Sequence, residues 1–191
     1  DLAGYSVAAA GDINGDGLDD LIVGAPYADP AGGSAAGRSY VVFGKTSTGW
    51  AQLSAIATGT GGFVINGESP NDLAGYSVAA AGDVNGDGLA DLIVGAWGSD
   101  PFGRSNAGRS YVVFGRTGSS AIDLAAITNG TGGFVINGQS AGDWSSISVA
   151  GAGDINGDGL ADLIVGAPLS DPAAGSYAGR TYVVYGKIGG D

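Results

Sequence analysis

The chain has 191 residues, a net charge of −12 and no cysteine, histidine or methionine. So acidic a surface repels phosphate backbones and anionic membranes, which excludes nucleic acid as a partner, and the lack of cysteine excludes disulfides and thiolate metal sites. No apolar run reaches membrane-spanning length, so we expect no membrane insertion. The 39 glycines recur at fixed places and therefore indicate turns between short strands rather than disorder.

Four strand candidates come first along the chain, at 5–11, 20–26, 37–44 and 61–67. β-Branched and aromatic residues are concentrated in these segments, whereas Gly, Asn and Asp fill the gaps between them. The segment 51–59 before the fourth strand predicts a single helical turn.

The same pattern then repeats at an offset of 71 residues without a gap. The segment 1–7 recurs at 72–78 and, in weaker form, at 143–149. The predicted units are 1–71, 72–142 and 143–191, and the third lacks a counterpart of the fourth strand.

Four antiparallel strands per repeat, in series, predict an all-β fold of β-propeller blades. The alanine-rich first strand suits the crowded innermost position. A calcium β-roll is the alternative, but it requires consecutive nine-residue repeats, and this chain has one loop per 71 residues. Propellers close with about four to eight blades, so we expect a partial propeller, completed by oligomerisation or belonging to a longer array. The start at Asp1 within a motif and the missing initiator methionine suggest a processed or fragmentary chain.

Each unit contains a nine-residue loop: DINGDGLDD (12–20), DVNGDGLAD (83–91) and DINGDGLAD (154–162). Calcium takes six to eight oxygen ligands, and positions 1, 3, 5 and 9 offer side-chain oxygens while position 7 offers a carbonyl. Glycine at position 6 permits the sharp turn. The predicted ligands of three Ca²⁺ ions are Asp12, Asn14, Asp16, Leu18, Asp20, Asp83, Asn85, Asp87, Leu89, Asp91, Asp154, Asn156, Asp158, Leu160 and Asp162.

Other interpretations of the loops account for less of the pattern. Simple hairpin turns need Asn-Gly or Asp-Gly but no carboxylates at positions 1, 5 and 9 in every copy. EF-hand and dockerin-like loops need an acid at position 12, where this chain has Val23, Val94 and Val165. Magnesium demands a tighter octahedral shell. Asp19 is predicted to be a solvated extra acid, because the other copies have Ala90 and Ala161.

The run Tyr-Ser-Val, Gly-Asp-Ile-Asn-Gly-Asp-Gly, Asp-Leu-Ile-Val-Gly-Ala-Pro and Gly-Arg-Ser-Tyr-Val-Val-Phe-Gly resembles the FG-GAP repeat of integrin α-subunit propellers and their bacterial relatives. The resemblance implies calcium in the hairpin between a blade's first and second strands. Two features depart from that family. The family's opening Phe-Gly is replaced at 3–5, 74–76 and 145–147. The family's propellers usually have seven blades, whereas this sequence contains fewer than three.

These observations favour a calcium-stabilised, non-enzymatic module outside the cell or on its surface. Its expected role is structural, adhesive or in binding a protein or glycan. One alternative is a calcium-dependent polysaccharide hydrolase or lyase using carboxylates. The other is a self-assembling repeat that forms a ring or filament, a homo-oligomer of identical chains.

Some weaker patterns remain. Each unit has an aspartate nine residues before an arginine, as at Asp29 and Arg38, which predicts a structural Asp–Arg pair. Glu68 and Asp123 are expected to be solvated, and the tryptophans are expected to pack. Asn129 begins an N-glycosylation sequon, a short match whose use the sequence leaves undecided.

Overall fold

The computed structural model describes residues 1–172, 175 and 177–188. The described residues form twelve strands, two short α-helices and one 3₁₀ turn (Pro101–Gly103), in the order predicted for each repeat except for one added two-residue strand, Ile122–Asp123. The strands are β1 (Ser6–Gly11), β2 (Asp20–Ala25), β3 (Arg38–Val42), β4 (Gly62–Asn66), β5 (Ser77–Gly82), β6 (Asp91–Ala96), β7 (Arg109–Val113), β8 (Ile122–Asp123), β9 (Gly133–Asn137), β10 (Ser148–Gly153), β11 (Asp162–Ala167) and β12 (Arg180–Val184).

The strands form three sheets, which we call blade 1 (β1–β4), blade 2 (β5–β7 and β9) and blade 3 (β10–β12). Neighbouring strands within each blade are antiparallel and follow chain order. The all-β prediction and the propeller-blade prediction are therefore confirmed. Blade 3 has three strands among the described residues, as the missing counterpart of 61–67 indicated.

The two helices are α1 (Leu53–Ile56) and α2 (Leu124–Thr128), each preceding the outermost strand of its blade. The helical turn predicted within 51–59 is thus confirmed as α1. In the described part of the chain, no helix is long and apolar enough to cross a membrane.

A two-residue strand from the second repeat completes blade 1. β8 pairs in parallel with β4, with Ile122 beside Ile65 and Asp123 beside Asn66. The Asn66 amide also donates to the Asp123 carboxylate at 2.9 Å. The outer edge of blade 1 is therefore covered by the connection that leads into the fourth strand of blade 2.

Two hydrophobic cores lie between adjacent blades rather than within single sheets. One combines Ile13, Ile22 and Phe63 of blade 1 with Leu92 and Val94 of blade 2. A second core joins blade 2 to blade 3 through equivalent positions, including Val84, Ile93, Leu163 and Val165. The blades therefore stabilise one another by burying apolar side chains at their shared faces.

The backbones of adjacent blades approach closely where a glycine faces the next repeat. A Cβ atom built on Gly24 would lie 2.0 Å from the Gly75 carbonyl oxygen. Gly95 faces the Ser146 carbonyl oxygen in the same way, at 2.2 Å. Any side chain at these positions would push the blades apart, so the glycine of the Asp-Leu-Ile-Val-Gly-Ala strand sets the spacing between blades.

Candidate metal centres

Each candidate loop connects the first two strands of a blade. In blade 1 the ladder pairs Ala9 with Leu21 and then Gly11 with Asp20, which leaves a β-bulge at Ala10. The same shift occurs in β5–β6 and β10–β11. The bulge bends the hairpin end and places position 9 of the loop at the first residue of the second strand. The family resemblance implied this hairpin position, and the structure confirms it.

The aspartate at position 1 organises the loop backbone. One Asp12 oxygen, Oδ1, accepts the amides of Gly15 at 2.8 Å and Asp16 at 3.1 Å, and Oδ2 accepts the amide of Gly17 at 2.8 Å. Gly17 has a φ of +85°, a left-handed conformation that favours glycine. The predicted reason for glycine at position 6 is therefore confirmed.

The residues at positions 3 and 5 bind each other and the next turn. Asn14 accepts the Asp16 amide at 2.8 Å through Oδ1 and donates from its own side-chain amide to Asp16 Oδ2 at 3.0 Å. The other Asp16 oxygen accepts the Leu18 amide at 2.9 Å. These contacts lie on the exposed side of the loop.

Position 9 is buried and connects the loop to two other parts of the blade. Asp20 is fully buried, and its carboxylate accepts the Ile13 amide at 2.9 Å and the Gly44 amide at 2.7 Å. Gly44 follows β3, so Asp20 joins the loop to the third strand. Each of the two Asp20 carboxylate oxygens therefore holds one backbone amide.

The other two loops repeat this arrangement contact for contact. Asp83 and Asp154 accept the amides of positions 4, 5 and 6. Asp91 and Asp162 bind the amides of position 2 and of the glycine after the third strand. Leu89 and Leu160, at position 7, lie against the preceding loop, since a Cβ on Gly15 would lie 3.1 Å from Leu89 Cδ2 and one on Gly86 would lie 3.2 Å from Leu160 Cδ2.

The donor set suits calcium in its chemistry. All of the predicted side-chain ligands are oxygen donors, and a carboxylate offers about four acceptor sites, of which Asp12, Asp16 and Asp20 use only part. Within the described residues, no lysine or arginine forms a salt bridge with a loop carboxylate. The same residues contain no group of three or more acidic side chains close enough together to hold a metal ion. The loop carboxylates hold backbone amides.

Burial and repulsion from neighbouring loop carboxylates disfavour ionisation of Asp91 and Asp20. Burial, followed by repulsion from Asp87 and Asp83, raises the pKa of Asp91 to about 6, although the Gly115 and Val84 amides oppose this shift. The pKa of Asp20 is raised for the same reasons. At position 1, hydrogen bonds from the loop amides, with that of Gly159 the strongest, lower the pKa of Asp154. A cation would favour the ionised form of all these groups.

Sequence reasoning missed a polar cluster between blades 1 and 2. Glu68 Oε2 accepts hydrogen bonds from Arg109 at 2.8 Å, Tyr111 at 2.8 Å and Thr128 at 2.7 Å. The expectation of a solvated Glu68 is therefore wrong. Gln139 occupies the equivalent position and accepts from Arg180 and Tyr182, so an acceptor at the same place in two repeats was the available signal.

The predicted Asp–Arg pairs are also wrong. Asp29 accepts the Ala35 amide at 2.7 Å and so holds its own connection, while Arg38 Nε donates to Asn66 at 2.9 Å. Asp100 binds the Asn106 amide and Asp171 binds the Tyr177 amide in the same manner.

Next to Glu68 lies Asp72, which is 5% exposed. Burial and repulsion by Glu68 raise its pKa to about 6, against the opposing effects of Arg109, Ser69 and Ser99. Because the folded protein binds this proton more tightly than the unfolded chain does, the stability contributed by Asp72 is present below about pH 4 and is lost as the pH rises through about 6.

We therefore predict that Asp72→Asn stabilises the protein at pH 8 but not at pH 4. The gain is at most about 3 kcal/mol, since each pKa unit corresponds to about 1.4 kcal/mol. Calorimetric unfolding at both pH values, with a chelator present, measures it. Asp19→Asn, at an exposed position, is the matched control and leaves the difference between the two pH values unchanged. Equal effects of Asp72→Asn at both pH values would contradict this assignment.

Aromatic rings line up at the strand ends remote from the loops. Tyr5 lies 4.7 Å from Tyr76 between ring centroids, Tyr76 lies 5.9 Å from Trp97, and Trp97 lies 4.8 Å from Trp144. The row therefore crosses all three blades. Packing is confirmed for Trp97 and Trp144 but is wrong for Trp50, which is 92% exposed.

Comparisons with known proteins agree with this geometry. The chain is 34% identical over 172 residues to integrin alpha-7 of Rattus norvegicus, covering 90% of the chain and 13% of that protein. It is 32% identical over 172 residues to integrin alpha-PS2 of Drosophila melanogaster, covering 88% of the chain and 12% of that protein. A phosphatidylinositol-glycan-specific phospholipase D of Rattus norvegicus is 41% identical over 113 residues, or 58% of the chain and 13% of that protein.

The chain thus spans a small part of the length of these relatives, some of which are integrins and one of which is named as an enzyme. The sequence profile of the FG-GAP repeat matches residues 3–42, 74–113 and 147–184, which together make up more than half of the chain. Each match contains one candidate loop and the first three strands of a blade. The chain belongs to the FG-GAP repeat family.

Proposed function

We propose that this chain is a calcium-stabilised interaction module, with one Ca²⁺ bound by each of its three loops and no catalytic activity of its own. The observation that carries the proposal is the threefold recurrence of carboxylates at positions 1, 5 and 9, with no salt bridge to them among the described residues. Calcium would supply the positive charge that these groups lack.

The ligands proposed for each ion are the side chains at positions 1, 3, 5 and 9 and the carbonyl at position 7. In blade 2 these are Asp83, Asn85, Asp87, Leu89 and Asp91. The hydrogen bonds of Asp83 and Asp87 fold the loop so that its oxygen donors lie within one hairpin turn. Asp91 anchors that turn to the strands.

A binding role is supported more strongly than catalysis. The loop acids hold backbone amides, and Glu68 is held by three partners, so these acids are engaged in structure. Integrin relatives match most of the chain, and phospholipase D relatives match from 58% to 95% of it, so the extent of the match does not separate the two roles. We place the module outside the cell or on its surface, where calcium sites of about 0.1–1 mM affinity are filled.

The aromatic row is the surface we propose for a protein or glycan ligand. Tyr5, at one end of the row, and Tyr27 beside it are partly exposed, and their ring centroids lie 6.4 Å apart. Aromatic side chains give large contact areas to such ligands at a small entropic cost. The row lies away from the loops, so ligand and calcium would occupy opposite strand ends.

Isothermal titration calorimetry with calcium tests the proposal. We expect three equivalents for the unmodified chain and two for Asp87→Ala, because that change removes one carboxylate of the middle loop. Asp19→Ala is the matched control, since its position is alanine in the other loops, and it keeps three equivalents. Three equivalents of calcium bound by Asp87→Ala, or no binding by the unmodified chain at millimolar calcium, would refute the calcium sites.

A further inference from the structure

The sequence contains six Asn-Gly pairs, and the structure describes all of them. They begin at Asn14, Asn66, Asn85, Asn129, Asn137 and Asn156. In such a pair the main-chain nitrogen of the glycine can attack the side-chain amide of the asparagine, because glycine has no side chain to hinder the approach. In the folded protein, the hydrogen bonds that hold each pair decide which of them reacts.

The three pairs in the candidate loops are held by carboxylates. Asn85 Oδ1 accepts the Asp87 amide at 2.9 Å, and Asn85 Nδ2 donates to Asp87 Oδ2 at 2.9 Å. The amide of Gly86 donates to Asp83 Oδ1 at 2.7 Å. The pairs in the first and third loops have the same contacts. In each loop, both the side chain and the attacking nitrogen are therefore held.

Two further pairs lie at the ends of strands β4 and β9. The Asn66 side chain accepts a hydrogen bond from Arg38 and donates one to Asp123, each at 2.9 Å. Asn137 accepts a hydrogen bond from Arg109 at 2.8 Å. The glycines that follow them donate their amides to main-chain carbonyls at 2.8 Å. Attack at either asparagine would therefore require the end of a paired strand to separate from its neighbour.

The pair at Asn129 is held by fewer contacts. Asn129 follows the last residue of α2, it is exposed, and its side chain forms no hydrogen bond with the described residues. The attacking nitrogen, that of Gly130, donates to the Ile127 carbonyl at 2.9 Å. This bond belongs to the end of a five-residue helix, and helix ends fray more readily than paired strands.

The equivalent turn in the first repeat shows how much of it a following repeat covers. Thr58 and Gly59 align with Asn129 and Gly130 at the 71-residue offset. A Cβ on Gly59 would lie 3.2 Å from the Ser119 carbonyl oxygen, in the connection of the second repeat, and Thr58 is still exposed. The exposure of Asn129 therefore does not depend on whether another repeat follows.

We propose that Asn129 is the site at which the folded protein deamidates. The Gly130 nitrogen bonds to Asn129 Cγ while the Cγ–Nδ2 bond breaks, and the proton lost from the Gly130 amide leaves with Nδ2 as ammonia. Water then opens the resulting succinimide at either carbonyl and gives aspartate or isoaspartate. The net reaction consumes one water and releases one ammonia. It also removes the acceptor amide of the sequon that Asn129 begins.

The expected selectivity follows from the contacts that each pair must break. Every other pair has at least one side-chain hydrogen bond that the pair at Asn129 lacks. A typical hydrogen bond corresponds to a factor of about five in a local opening equilibrium. We therefore expect Asn129 to react at least about fivefold faster than any other asparagine of the six pairs.

Peptide mapping by mass spectrometry tests the proposal on the whole chain, kept folded at mildly alkaline pH. A chelator is present, so that the outcome is independent of the calcium sites. We expect Asn129 to be converted first, to aspartate and isoaspartate peptides that chromatography separates. In concentrated denaturant we expect similar rates at all six pairs, because each asparagine is then followed by an unhindered glycine.

Asn129→Thr is the matched variant, because it copies Thr58 of the first repeat. We expect it to keep the melting temperature and to leave slow conversion at the other five pairs. Another pair that reacts as fast as Asn129 in the folded chain would overturn the proposal. The same order of rates in the folded and the denatured chain, or no conversion of Asn129 in the folded chain after the denatured chain has reacted fully, would also overturn it.

Discussion

Saturating calcium is expected to raise the melting temperature of the metal-free protein by on the order of 10 °C. At a calcium concentration tenfold above the dissociation constant, each site adds about 1.4 kcal/mol, so three sites add about 4 kcal/mol. A chain of this length gains about 2–4 °C per kcal/mol. Differential scanning calorimetry before and after chelation measures the shift.

Two controls separate binding from general screening of the net charge. Magnesium at the same concentration screens equally but suits the loop ligands poorly, so its effect is smaller. Asp87→Ala removes one carboxylate and reduces the calcium shift by about a third. Equal shifts with magnesium and calcium would contradict specific sites.

Asp91→Ala is expected to destabilise the protein by about 3 kcal/mol even without calcium. Asp91 is fully buried and accepts the Val84 amide at 2.9 Å and the Gly115 amide at 2.8 Å. Removing the carboxylate leaves two buried donors without partners, and each costs about 1–3 kcal/mol. Relief of a buried charge with a raised pKa offsets part of that loss.

Chemical denaturation in the presence of a chelator measures this effect. Asp91→Asn keeps one acceptor oxygen and is expected to lose less than alanine does. Asp87→Ala is the control within the same loop, because its carboxylate binds the Leu89 amide on the exposed side and its loss costs below about 1 kcal/mol. Equal destabilisation at positions 87 and 91 would show that burial does not distinguish them.

The strands were predictable because their signals are local. Runs such as Asp20–Ala25 combine β-branched residues with Gly and Asp boundaries, and the 71-residue repeat supplied three copies of each signal. The short helix α1 followed from its own segment. The interfaces between blades could not be derived in this way, because they depend on which positions face the next sheet.

Features that depend on distant partners were missed or misread. β8 has two residues and pairs with a strand of the preceding repeat, so no local periodicity reveals it. Glu68 was expected to be solvated because it lies in a connection between strands, but its partners come from β7 and α2. Asp29 was misread for the opposite reason: it was expected to pair with Arg38, but its carboxylate binds the nearer Ala35 amide within the same connection.

The loops were predictable as hairpins with grouped oxygen donors, and the structure shows which backbone amides these donors hold. The position-1 and position-5 acids fold the loop, and the position-9 acid is buried between strands. Burial of position 9 could not be predicted from the motif, because its second partner, Gly44 in the first loop, follows the third strand. Calcium coordination stays a prediction.

The pairing of β4 with β8 also determines when the first blade can be completed during synthesis. Asn66 finds its partner Asp123 at a distance of 57 residues along the chain. At about 5–20 residues per second, a ribosome needs roughly 3–11 s to produce that partner. Throughout this interval the outer strand of the first blade has an unpaired edge, and a neighbouring nascent chain with the same sequence competes for it.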